Sequence, residues 1–465
     1  MVLACILGLS AADVSTVGAS ATELRSGLHI SNTDIGLLVA VTSLVAAVAT
    51  LPFGVLADRI RRTWTLAAVI VLWGAAMLWS ATVGDFGELL LARLFLGGVT
   101  AAAGPLVASL IGDYFAPSER GRIYGFILAG ELVGAGFGFA VTGDIATLSW
   151  RAAFVILALP AFALAWLVVR LPEPARGGRG VLLAEPGTRG PGERPESEQE
   201  EPGRTDAQRL AEEHRISPDP ELLRHEDPRR MNVFQAVRHV LNVRTNVILI
   251  AASACGYYFL AGVQTFGSQF VREQYGINQA LANVLLLVIG TGAIGGVLLG
   301  GAIGDGLLRR RFLNGRIITS AVAALLAVAL FAPAIFTRTA LSAVPYLIFA
   351  VLFLSAQNPP LDAARLDIMP SFLWGRAEAV RTFLRGIAQA LAPLLFGAVS
   401  DHVFGGGRSG LQWTFAIMLV PLLASAYLLF RALRTYPRDV ASAAAIAVER
   451  KQAWDWPGEE DVRQE

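Results

Sequence analysis

Two cysteines, five histidines and a single lysine are all that this 465-residue sequence offers to thiol, metal and phosphate chemistry. Cys5 and Cys255 both lie in apolar runs, which excludes a disulfide framework. His29, His214, His225, His239 and His402 are scattered, none at metal-ligand spacing and none in mid-run. Lys451 stands in Glu449-Arg450-Lys451-Gln452 without the preceding glycines of a phosphate loop, so the chain is not its own ATP-driven pump. Charge is scarce too. Charged residues make up 16%, against roughly 25% in a soluble protein. The net charge of +1 gives no case for a nucleic-acid partner. What fills the space is 54% hydrophobic residues and a mean hydropathy of +0.54. Soluble enzyme, secreted scaffold and disordered chain are poor readings; the surface to be covered is lipid.

Spanning a bilayer takes about 20 mostly apolar residues as helix, because lipid offers backbone amides no partner. That ruler places spans near 2–23, 34–56, 64–83, 87–110, 121–142 and 150–170, then near 244–271, 279–303, 315–336, 342–366, 377–400 and 411–433. The expected fold is all-α integral membrane, twelve transmembrane helices as two six-helix bundles. Residues 1–171 form the first bundle and 243–434 the second; 435–465 is a tail. Between them, 172–242 is rich in Pro, Gly, Glu and Arg and reads as a largely disordered linker, a tether more than a regulator. Short surface helices are expected within it at Thr205–Arg215 and Asn232–Val243.

Arginine placement orients the chain. Alternate connections hold Arg59, Arg61 and Arg62, then Arg120 and Arg122, then Arg309, Arg310, Arg311 and Arg316, then Arg376. The positive-inside rule makes that side cytoplasmic, with both termini and the linker, in a cell membrane. Met1 leads almost directly into the first run with no basic region ahead of it, so a secretory signal is the weaker reading.

The halves echo one another. Gly54-Val55-Leu56-Ala57-Asp58-Arg59-Ile60-Arg61-Arg62 closes the second span, and Gly301-Ala302-Ile303-Gly304-Asp305, followed by Arg309, closes the eighth 247 residues later. Asp113 with Gly121 and Arg122 is matched by Asp367 with Gly375 and Arg376, and Asp144 by Asp401. Two parallel bundles around a midplane cavity are the architecture of an alternating-access carrier. Glycine permits close helix approach, and aspartate at a helix end accepts hydrogen bonds from a neighbouring helix start. Gly54, Asp58, Arg59, Arg62, Asp113, Arg122 and Asp305 are therefore the candidate gate.

Gly54 to Arg62 resembles the signature loop of the major facilitator superfamily, and the six-linker-six plan carries the resemblance along the chain. Ile30-Ser31-Asn32-Thr33-Asp34-Ile35-Gly36, Ala92-Arg93, Ser109-Leu110-Ile111-Gly112-Asp113-Tyr114-Phe115, Trp150-Arg151-Ala152-Ala153-Phe154 and the Pro393–Asp401 stretch are similar to the Spinster-type branch. That resemblance implies lysolipid or sphingolipid export, with proton coupling in bacterial members. The chain departs from the pattern in Val14 after Asp13, in Thr100 where a glutamate is expected, and in Arg385 where a histidine is expected.

An ionised group at mid-membrane is costly and therefore points to a partner or a function. Asp13 is the first candidate proton carrier and Glu131, in the Gly130–Gly138 glycine ladder, the second. Arg93 is placed to pair with either acid in one state and to hold an anionic substrate group in another. The resemblance implies a cavity lined by the first, fourth, seventh and tenth spans, bringing Tyr257, Tyr258 and Gln264 opposite Gln357 and Asn358, with Phe137 on the apolar wall. Asn358-Pro359-Pro360 is expected to break the tenth span and free carbonyls.

These readings converge on a secondary carrier, monomeric and proton-coupled, needing no cofactor. Its substrate is an amphipathic or anionic organic solute, lysophospholipid-like by resemblance, with lipids as its surroundings. Multidrug efflux and organic-anion uptake stay open. A membrane-embedded enzyme or a sensor is the other class, without a visible nucleophile or a folded partner site to support it.

Overall fold

The computed structural model describes residues 2–57, 61–114, 127, 130–131, 133–174, 205–220, 238, 240–369 and 374–454. Among these there is no strand. Eleven helices are long and apolar enough to cross a membrane. In the first half they are span 1 (Val2–Ala19), span 2 (Asn32–Thr50), span 3 (Arg62–Thr82), span 4 (Phe86–Val107) and span 6 (Trp150–Val169), with the shorter apolar helix Val133–Leu148 as span 5. In the second half they are span 7 (Arg244–Tyr275), span 8 (Gln279–Arg309), span 9 (Gly315–Phe336), span 10 (Ala340–Asp367), span 11 (Val380–Val403) and span 12 (Gly407–Ile446).

Leu298, Phe349 and Tyr427 are among the large apolar side chains that stand open on the flanks. Such a surface would aggregate in water and is stable only against hydrocarbon. Inside, small residues set the spacing. A Cβ on Gly296 of span 8 would sit 2.0 Å from the Leu352 carbonyl oxygen of span 10. One on Gly134 of span 5 would sit 1.9 Å from that of Gly8 in span 1. At both places backbone packs on backbone, which only glycine permits.

The structure differs from the sequence expectations in four places. Span 5 runs on to Leu148 through a π-helical turn at Gly138–Thr142, beyond the expected end at 142. Span 11 carries the matching π turn at Val399–Val403, so the internal repeat extends to a backbone irregularity. Span 12 continues as a helix from Leu419 to Trp454, where a tail from 435 was expected. Its extension is retained because Tyr436, Val440 and Ala441 are buried.

The fourth difference is in the linker. Asp206–Glu213 is a helix closed at its start by a capping box between Thr205 and Gln208, as expected. It is docked and not free on the surface. Ala207, Leu210 and Ala211 bury against a cluster that includes Val240, Leu308, Leu313 and Tyr436. Gln208 Nε2 donates to the Asp367 carbonyl at 2.9 Å, and Arg311 pairs with Glu213 at 3.0 Å. The second expected linker helix, Asn232–Val243, lies largely outside the described residues.

Candidate functional site: charges buried among the spans

Span 1 places Asp13 and span 4 places Arg93 in the interior of the first half, 4% and 2% exposed. Arg93 Nη1 donates to Asp13 Oδ1 at 2.9 Å, and its guanidinium lies 4.8 Å from the Phe154 ring centroid of span 6. One turn beyond Asp13, the Thr16 and Thr142 hydroxyls bond at 2.7 Å and tie span 1 to span 5. Arg93 is only partly satisfied, since its Nε and Nη2 are buried without a hydrogen-bond partner. A guanidinium has five donors in a fixed fork, and one carboxylate oxygen with one ring face uses a fraction of them. The pair Asp13–Arg93, one of two pairings open to Arg93 in the sequence, is the one formed. Glu131 is half-buried on the span 5 glycine ladder and makes no hydrogen bond with a described residue.

The second half is more heavily charged. Asp362 accepts from Arg365 Nη2 at 2.6 Å and from Arg381 Nη1 at 2.9 Å. Closer to the arginine-rich face, Arg316 donates to Asp305 from Nε at 3.1 Å and Nη2 at 2.8 Å, and to Asp367 from Nη1 at 2.6 Å. Tyr436 of the extended span 12 donates to the same Asp367 oxygen at 2.6 Å. Asp305 thus holds the start of span 9 from the end of span 8.

The expected cavity residues are not all brought together. Tyr257 is half-buried under the Arg385 guanidinium, 4.3 Å from its ring centroid. Tyr258 instead turns into the core of the second half, its hydroxyl on Met418 Sδ at 3.4 Å and its ring 5.9 Å from Phe396. Gln357 is buried beside Gly256, and Asn358 is half-buried. Gln264 and Phe137 are exposed. Span 10 does break at Gln357, whose carbonyl accepts from Ser320 Oγ at 2.9 Å.

Of the expected gate, Asp58, Arg59 and Arg122 lie outside the described residues, as do the surroundings of Gly54 and the side chain of Asp113. Arg62 is fixed within its own half. Its backbone N and Nε both donate to Glu173 Oε1 at 3.1 Å, and Nη2 donates to the Pro174 carbonyl at 2.9 Å.

Contacts absent from the expected site close the opposite face. Asp401, ending span 11, accepts from Thr33 N at 2.6 Å, Thr33 Oγ1 at 2.8 Å and Asn32 Nδ2 at 3.1 Å at the start of span 2. Asp144, ending span 5, accepts from Asn283 Nδ2 at 2.8 Å near the start of span 8. These are the two aspartates that echo each other in the repeat. The signal in the sequence was that echo, together with a polar amide near the start of spans 2 and 8. Glu23 with Arg272 at 2.8 Å adds an ion pair between the halves.

Two bundles of apolar helices, related by an internal repeat and each holding buried acid–arginine pairs, define a polytopic membrane protein with carrier architecture. The family model of the Major Facilitator Superfamily matches residues 3–393, and the chain belongs to that family. Protein spinster of Drosophila melanogaster is 27% identical over 167 residues, 36% of this chain and 28% of that protein. A human spinster homolog 3 is 32% identical over 160 residues, covering 33% and 31%. A probable L-galactonate transporter of Escherichia coli K12 is 30% identical over 146 residues, covering 31% and 32%. The chain thus matches less than a third of the length of the first of these relatives, 28%. The crystal structure of a bacterial homolog of the human lysosomal transporter Spinster, inward-facing and unoccupied, superposes with a TM-score of 0.71 at 18% identity, covering 94% of this chain and 97% of that one. A D-xylose-proton symporter does so at 0.63 and 16%, covering 92% and 95%. At those identities the likeness is one of fold.

Proposed function

We propose that this chain is a proton-coupled secondary carrier working by alternating access, which moves an amphipathic or anionic organic solute across the cell membrane as a monomer. The observation that carries the reading is the Asp13–Arg93 pair, buried between spans 1 and 4 with two guanidinium nitrogens unpartnered. A buried pair is sensitive to a single proton: neutralising Asp13 removes the charge that holds Arg93 and frees the fork for an anionic group. Return of the proton to solution restores the pair. Binding of substrate anion and binding of proton are then linked through one arginine. Glu131 is the second acid on that path. On this reading the arginine-rich face is cytoplasmic, with both termini and the linker.

The relatives support an organic solute without fixing it. Their names include spinster proteins, on the lysolipid side of the resemblance, and carriers of L-galactonate and hexuronate, which are carboxylates. The test is flux into proteoliposomes under an imposed pH gradient, with labelled lysophosphatidate, glucuronate and a cationic dye, for wild type and Asp13→Asn. Gradient-driven flux of an anionic probe, lost in the variant, is expected. Undiminished, still proton-driven flux in Asp13→Asn removes Asp13 from the mechanism.

A further inference from the structure

Arg385 has no role in the pairing just described, and among the described residues it forms no ion pair. It sits on span 11 one helical turn beyond Arg381, half-buried, with its Nε shielded from solvent and without a hydrogen-bond partner. Among the described residues no carboxylate lies within ion-pair distance of it. Its guanidinium stacks on the Tyr257 ring, 4.3 Å from the centroid. Tyr257 belongs near the middle of the 32-residue helix Arg244–Tyr275. The guanidinium therefore lies at mid-depth and does not reach back to the headgroups, which is the ordinary way an arginine near a helix end escapes hydrocarbon.

The neighbourhood amplifies the imbalance. Asp362 accepts from Arg365 and Arg381 and does not reach Arg385. A cation–π contact compensates part of the desolvation of a guanidinium and leaves its in-plane donors unused. Those donors are the ones that read a carboxylate or phosphate in a fork. The Tyr257 face holds the fork from one side and leaves its edge to a ligand. The two halves differ here: Arg93 is masked by Asp13, whereas no described carboxylate masks Arg385.

Resting on the carrier reading and narrowing its substrate, we infer that Arg385, stacked on Tyr257, is the anion-binding residue that selects a substrate with a carboxylate or phosphate group. Free organic anions and anionic lysolipids share that chemistry. Two probes separate them: glucuronate, with glucose as its neutral counterpart, and lysophosphatidate, with monoacylglycerol as its counterpart. Binding to the full chain in detergent is read calorimetrically for wild type, Arg385→Gln and Arg385→Lys. Flux in proteoliposomes is read in parallel.

At least one anionic probe is expected to bind wild type and to lose tenfold or more of its affinity in Arg385→Gln. Arg385→Lys, which keeps the charge and loses the fork, is expected to fall between. Neutral counterparts should bind all three alike. Glucuronate alone responding assigns a free carboxylate, lysophosphatidate alone a lipid headgroup. The inference is overturned if neither anion binds wild type, if Arg385→Gln binds anions as well as wild type, or if neutral probes weaken equally. Arg385-dependent binding without gradient-driven flux would sink the carrier reading and leave the anion site. Anion flux undiminished in Arg385→Gln does the reverse.

Discussion

On the face away from the arginine-rich connections, polar bonds run between the two halves. Asp401 of span 11 takes both residues at the start of span 2, Asp144 of span 5 takes Asn283 of span 8, and Arg272 takes Glu23. On the arginine-rich face, bonds between described residues stay at home. Arg62 answers to Glu173, Arg316 to Asp305 and Asp367, and the linker helix to Arg311 and the Asp367 carbonyl. One face is latched across the halves and the other is braced within each half. Among the described residues, the hydrogen bonds and ion pairs between the halves are therefore gathered on the latched side. The difference also teaches what each kind of bond is for. Bonds within a half hold in every state of a rocking carrier, whereas bonds between halves must break once per cycle.

The largest expected effect comes from breaking a brace. Arg316→Ala leaves Asp367, fully buried, with Tyr436 as its remaining side-chain donor among the described residues and removes the partner of Asp305. Stripping one partner from a buried pair costs about 3–5 kcal/mol. Thermal unfolding of the purified protein should fall accordingly, while the distance between spin labels across the latched face stays unchanged. A change in that distance would erase the distinction between brace and latch.

Next comes the stronger latch. Asp401→Ala removes a half-exposed carboxylate that accepts three hydrogen bonds, and because solvent replaces part of what is lost the net effect is about 1.5–3 kcal/mol, below that of the buried brace. On the alternating-access proposal those bonds form in one state only, so the loss is expected in the conformational equilibrium and not in the stability of either half. Spin-label distances across the latched face are expected to gain a long component, and that change should exceed any drop in melting temperature. The weaker latch follows: Asn283→Ala loses one bond to Asp144, worth about 1.5 kcal/mol or roughly tenfold in population, and should shift the same distribution less than Asp401→Ala. Equal effects from both would mean that the two aspartates act as one unit.

The sequence carried most of the architecture, because lipid leaves helices little choice. Apolar runs of the right length became spans, and the offset echo of Asp144 and Asp401 became a matched pair of π turns. Chemistry was legible where a charge sat alone in an apolar run, as Asp13 and Arg93 do. Less legible was direction around a helix axis. Tyr257 and Tyr258 are neighbours in sequence, about 100° apart on the helix, and one meets Arg385 while the other meets Met418. The docked linker helix was hidden for another reason. Ala207, Leu210 and Ala211 form too small an apolar stripe to announce burial, and it is the extension of span 12 that supplies their partner.

The smallest effect tests a brace through its protonation. Glu173 lies just past the end of span 6, and its carboxylate caps the start of span 3, accepting from Thr63 N at 2.9 Å and Thr63 Oγ1 at 2.7 Å as well as from Arg62. Partial burial alone would push this carboxyl up; the hydrogen bonds from Thr63 and Arg62 outweigh it and bring it from 4.5 down to about 2. A carboxyl whose value is depressed in the folded state stabilises that state only while ionised. Its contribution is complete above 4.5, shrinks as pH falls toward 2, and is gone below that. With a side chain still 30% exposed, solvent keeps that contribution small. The melting temperature of wild type should exceed that of Glu173→Gln at pH 7, and the gap should narrow by pH 3. A gap constant over that range would show that Glu173 holds span 3 by shape and not by charge, and that the brace persists in acid.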